Sequence, residues 1–71
     1  MNNRIYVVAG NYQQFILYLK NKENQVYIGD KYLLYGLHKP KVQLVGTYYK
    51  RDDWYDIKIL LQTIQAEIIY D

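Results

Sequence analysis

The chain contains no cysteine and no serine, and histidine and proline occur once each. Without cysteine there are no disulfides, thiolate zinc sites or thiol nucleophiles. Without serine, the lone His38 has no serine hydroxyl to activate, and it sits in an unremarkable turn between Leu37 and Lys39-Pro40. Long apolar runs are missing too: none approaches the roughly 18 residues of a membrane span. Met1-Asn2-Asn3-Arg4 leads into an apolar segment without a signal-peptide pattern, so a soluble, cytoplasmic protein is expected. Neither sign of charge dominates. Nine Lys and Arg against seven Asp and Glu leave a formal +2, too little to imply a nucleic-acid or membrane partner unless the cations cluster.

What is present is a doubled unit. Ile5-Tyr6-Val7-Val8-Ala9-Gly10 and Val42-Gln43-Leu44-Val45-Gly46 are β-branched runs that end in glycine and pass through a polar, aromatic turn into a helical pattern. Such runs suit strands covered on both faces, and the glycine permits a tight turn with close approach. The first helix starts at Asn11, a favoured N-cap with Gln14 three residues on, and Tyr12, Phe15, Ile16 and Leu19 form its apolar stripe. Val26-Tyr27-Ile28 is a short strand, after which Asp30 caps a brief helical segment closed by Gly36. The last helix follows Asp52 and Asp53, which offer capping and first-turn charge, and Trp54, Ile57, Leu60, Leu61, Ile64 and Ile68 line one face. Ile68-Ile69-Tyr70 fits either the end of that helix or a short pairing segment.

At 71 residues the chain makes a single domain, residues 1–71, burying roughly 60% of the surface its unfolded form exposes. Right-handed crossovers predict a small three-stranded, mainly parallel sheet in the order 2-1-3 with two principal helices, an α/β fold amounting to half of a doubly wound one. Helix one covers one face. The segment Asp30 to Leu37 crosses the other, where the final helix joins it. Sheet edges are left open, which invites pairing with a second chain and makes a homodimer an expectation.

This topology sorts side chains by end. Arg4, Lys39 and Lys41 precede strands and Lys20 and Lys22 end helix one, so they gather with His38 as a basic pole at the strand-entry end. Solvation and helix-dipole compensation account for such lysines. The sharper alternative is weak binding of nucleic-acid phosphates, lost steeply with salt. At the strand-exit end, the point between strands one and three where chain order reverses is the default ligand position of open α/β sheets. Asn11, Tyr12, Thr47 and Tyr48 flank it, and Lys50 and Arg51 supply counter-charge for a nucleotide or small phospholigand. No phosphate-loop or dinucleotide glycine motif is present, so turn and cap requirements explain the same glycines. Asp30, Asp52 and Asp53 read as caps rather than metal ligands, and no metal or cofactor is assigned. An enzyme is not expected, because no acid–base pair stands out.

Ten tyrosines are the strongest compositional feature. Tyrosine is enriched at interfaces, where its ring is buried and its hydroxyl finds a partner. Tyr18, Tyr48, Tyr49 and Tyr55 fall off the apolar stripes or in a loop and are the candidate partner-binding residues. An AT-rich coding sequence, which favours Tyr, Asn, Lys and Ile, produces the same composition, and contiguity on the surface separates the two explanations.

The pattern Tyr6-Val7-Val8-Ala9-Gly10-Asn11-Tyr12, Tyr27-Ile28, Leu34-Tyr35-Gly36-Leu37, Pro40 and Leu44-Val45-Gly46-Thr47-Tyr48-Tyr49, with Arg51 and Asp53, resembles small Rossmann-like proteins of bacteriophages. The resemblance implies a viral accessory protein in the host cytoplasm that binds a host or viral protein. It carries no catalytic signature and no site residue. Taken together, the sequence predicts a non-enzymatic interaction module, self-association included. Phospholigand binding at the strand-exit edge and nucleic-acid binding at the basic pole are the alternatives.

Overall fold

The computed structural model describes residues 4–19 and 24–70. Strand β1 (Ile5–Ala9) leads into helix α1 (Tyr12–Leu19), then β2 (Gln25–Tyr27), a 3₁₀ turn (Lys31–Leu34), β3 (Lys41–Val45), a second 3₁₀ turn (Tyr48–Lys50), helix α2 (Trp54–Thr63) and β4 (Glu67–Tyr70). The sheet is parallel and runs β2-β1-β3-β4, with Ile5 level with Gln25 and Lys41, and Lys41 level with Glu67.

The mixed α/β architecture with a parallel sheet and two helices is as the sequence predicts, but the sheet has four strands, not three. The tail supplies the fourth. Gln65 takes φ 58°, Ala66 N–H returns to Leu61 C=O at 2.9 Å, and Glu67 N–H bonds Pro40 C=O at 2.8 Å, which reverses the chain out of α2 and seats it beside β3. Ile68 therefore belongs to β4 rather than to the α2 stripe. It still packs on the α2 side of the sheet, because Ile68 is level with Val42 and strand side chains alternate between faces.

Each face carries its own cluster. Tyr6, Val8, Val42 and Leu44 point toward α2 and the first 3₁₀ turn and pack with Ile28, Leu34, Ile57 and Leu61. Val7, Ala9 and Val45 point the other way, onto Phe15 of α1. Full burial of each such aliphatic side chain contributes about 1.5–3 kcal/mol, so the α2 face holds most of the hydrophobic stabilisation. The α1 stripe is narrower than the periodicity predicts. Phe15 is buried, but Ile16 and Tyr12 are exposed, because α1 is only eight residues long and meets the sheet along a single line. Tyr18, expected on the surface, is half-buried against the Val7–Phe15 cluster.

Local signals at the helix starts behave unequally. Asn11 caps α1, its Oδ1 accepting Gln14 N–H at 2.9 Å, and Asp30 caps the first 3₁₀ turn by accepting Tyr32 N–H at 2.9 Å. Asp53 occupies the N-cap position of α2 but makes no capping bond, because its carboxylate is held by Arg51. Among the described residues, no helix is long and apolar enough to cross a membrane.

Candidate functional site

The crevice between the exits of β1 and β3 is the place where topology predicts a ligand, and the chain's own side chains fill it. Gln14 reaches from α1 between the two glycines. Its Oε1 accepts Gly10 N–H at 2.9 Å and Thr47 N–H at 3.0 Å, and its Nε2 donates to Thr47 Oγ1 at 2.9 Å. A Cβ on Gly10 would overlap Gln14 Oε1 and Thr47 Oγ1, and one on Gly46, which sits at φ 62°, would overlap Gln14 Oε1. The close approach that these glycines allow is thus made by an internal amide.

Arg51 closes the neighbouring stretch of the same edge. Its Nε and Nη2 donate to the two Asp53 carboxylate oxygens at 2.9 and 3.1 Å. Nη1 donates to Ala9 C=O at 3.1 Å and Ile28 C=O at 2.6 Å, and Nη2 to Gly29 C=O at 3.1 Å. A guanidinium has five N–H groups, and these five bonds account for all of them. The side chain is only 7% exposed and its charge is balanced by Asp53. It ties the exits of β1 and β2 to the loop before α2.

The other residues expected at this edge are spread around the plug. Asn11 is an exposed cap, and Thr47 is half-buried on Gln14. Tyr12 is 58% exposed and lays its ring against Phe15 and Tyr27, with centroids 5.8 and 5.4 Å away. Lys50 is exposed on the second 3₁₀ turn. Tyr48 turns away altogether. Expected in an exposed loop, it is half-buried, because its ring meets Trp54 edge-on at 4.9 Å on the α2 face.

That contact opens a second concavity. A groove of about 440 Å³ lies on the α2 side of β3 and β4, with Leu44, Leu61, Ala66 and Ile68 as aliphatic surface and Tyr48 and Trp54 as aromatic wall. Lys58, Gln62 and Gln65 stand on its rim. It runs alongside β4, whose outer edge pairs with no other described strand.

The cations predicted at the strand-entry end partly converge. Arg4, Lys39 and Lys41 line one hollow of about 280 Å³ together with His38. Lys20 and Lys22 lie outside the described residues. The tyrosine set divides: Tyr49 and Tyr55 are well exposed, at 56% and 70%, whereas Tyr18 and Tyr48 are not. Sequence reasoning missed the exposed Tyr32, Leu33 and Tyr35 of the first 3₁₀ turn, and the role of Trp54 as a groove wall. The spacing of Tyr48 and Trp54 around an Asp-Asp helix start was the available hint. Gln14 was legible only as a capping residue and Arg51 only as a free cation.

No protein-family model, curated protein or solved structure matches the chain. The resemblance to small phage proteins therefore gains no site residue from a relative.

Proposed function

We propose that this protein is a non-enzymatic interaction module that assembles through the open edge of β4, with a second copy of itself as the first partner. The observation that carries this reading is a parallel edge strand that pairs on its outer side with no other described strand and is bordered by an apolar groove. Backbone N–H and C=O groups on such an edge are a template for another strand. The groove of about 440 Å³ beside it adds apolar surface that association would shield from water.

The pairing has a preferred register. Glu67 N–H points into the sheet at Pro40, so the alternate residues Ile68 and Tyr70 direct their backbone groups outward. A second copy related by a twofold axis normal to the sheet adds its β4 antiparallel and keeps matching faces together when the axis passes beside a residue, and the central residues Ile68 and Ile69 give the longest overlaps. Centring on Ile69 leaves only Ile68, Ile69 and Tyr70 opposite described residues of the second copy and Glu67 without a described partner. Centring on Ile68 sets Ile68 opposite its own counterpart and Glu67 opposite Ile69 of the second copy. The second arrangement is the one proposed.

The absence of serine and cysteine and the exposed loop position of His38 support a role without catalysis. No nucleotide is proposed at the strand exits, since one would have to displace Gln14 and Arg51 from bonds that hold the sheet.

Sedimentation velocity across a micromolar-to-millimolar concentration series tests the reading, with circular dichroism to verify folding of each variant. The wild type is expected to pass from monomer to dimer. Ile69→Lys, which faces Glu67 of the second copy, strengthens the dimer, and Ile69→Glu weakens it. A monomer at every concentration rejects self-pairing. Equal weakening by both substitutions rejects the Ile68-centred register.

A further inference from the structure

Going beyond self-assembly, we infer that the hollow at the strand-entry end is a binding site for a phosphoryl group. Its surface has two parts. Tyr6 and Pro40 are buried and Leu37 is half-buried, while Arg4, His38, Lys39 and Lys41 are exposed around them. Three of the seven lining residues, Arg4, Lys39 and Lys41, are cationic, and no carboxylate is among the seven, Glu67 lying level with Lys41 on the neighbouring strand. The chain as a whole is only +2, so this concentration of cations departs from its average surface. Cations converging on one concavity focus the positive potential where it can draw in an anion.

The hollow is also held in shape. Lys39 N–H donates to Ile64 C=O at 2.9 Å, and Pro40 C=O accepts Glu67 N–H at 2.8 Å, which tie the loop to the end of α2 and the start of β4. Lys39 takes φ 51°, a backbone conformation that costs a lysine more than it would a glycine or asparagine. The ties that enforce this conformation fix the loop before any ligand arrives, which lowers the ordering cost of binding. A phosphoryl group fits the chemistry better than a carboxylate because it offers several oxygens and up to two negative charges to cations approaching from different chain segments.

The phosphoryl group has two sources, a small phosphorylated molecule or a nucleic-acid backbone, and the test separates them. Inorganic pyrophosphate is titrated calorimetrically into the full chain in 50 mM salt. A fluorescein-labelled dT12 oligonucleotide is followed in parallel by anisotropy. Pyrophosphate is expected to bind, with Lys39→Ala and Lys41→Ala each weakening it at least fivefold, while Lys50→Ala and Lys58→Ala, cations placed elsewhere, leave it within twofold. Displacement of dT12 by pyrophosphate places the backbone phosphates in the same hollow; pyrophosphate binding without any dT12 binding assigns the site to small ligands. Failure of pyrophosphate to bind, or losses as large in Lys50→Ala and Lys58→Ala as in the hollow variants, overturns the assignment. All four lysines are exposed, and matching thermal melts verify that the variants fold.

Discussion

Two crevices border the same sheet, and they differ in what fills them. At the exits of β1 and β3, where parallel sheets most often receive ligands, Gln14 and Arg51 consume the space and the hydrogen-bonding capacity. Beside β4, the groove walled by Tyr48 and Trp54 is left open by the described side chains. Topology names a place for a ligand, but the side chains present there decide whether it is open. Here the central crevice holds the sheet together, and both proposed binding surfaces lie at the periphery.

The largest effect that separates the two places is expected at Arg51. Arg51→Ala strips partners from the carbonyls of Ala9, Ile28 and Gly29 and leaves Asp53 without its cation, at a cost of about 3 kcal/mol in urea unfolding. Arg51→Lys recovers little of this, because an ammonium cannot reproduce the planar fork. Stability within about 0.5 kcal/mol of wild type in Arg51→Ala would mean that the edge is not held in this way.

Next in size is the glycine pair around Gln14. Gly46→Ala combines a left-handed backbone with an overlap on the Gln14 amide, and about 2 kcal/mol is expected. Gln14→Ala alone costs about 1 kcal/mol through its lost bonds to Gly10 and Thr47. The double variant is less damaged than the sum, since the overlap disappears while the backbone strain stays. Strict additivity in a double-mutant cycle would show that the amide does not occupy the glycine slot.

On the groove side the expected cost is smaller. Tyr48→Ala loses an edge-on contact with Trp54 and one with Tyr49 at 5.3 Å, and about 1 kcal/mol is expected. Trp54 is the only tryptophan, and its emission should shift to the red in that variant as its ring gains water.

The smallest effect belongs to the exposed pair Lys31–Asp56 at 2.8 Å, which ties the first 3₁₀ turn to α2. The hydrogen bond to Asp56, opposed by a smaller desolvation effect, raises the Lys31 pKa above its ordinary 10.5. The pair's contribution is therefore present in full below that ordinary value and is lost as pH rises through the raised one. Melting of wild type and Lys31→Met should differ slightly at neutral pH and converge in strong alkali or high salt.

Much of the architecture is legible along the chain because its signals are local. β-branched runs ending in glycine mark β1 and β3. Asn11 and Asp30 find their cap partners two or three residues away. The apolar spacing of α2 sends Ile57 and Leu61 into the core. The remainder depends on groups far apart in sequence. β4 is a strand because Pro40 offers a carbonyl to Glu67, not because four residues declare a period. Gln14 and Arg51 exchange capping and counter-charge roles for structural ones because the fold carries them to Thr47 and Ala9, 33 and 42 residues away. Buried backbone groups demand partners wherever these lie, and short-range periodicity holds no record of which side chain will arrive. Composition could therefore mark tyrosines and lysines as available for recognition. Only the packing of the sheet against α2 separated Tyr48, drawn into the groove wall, from Tyr49 and Tyr55, left facing water.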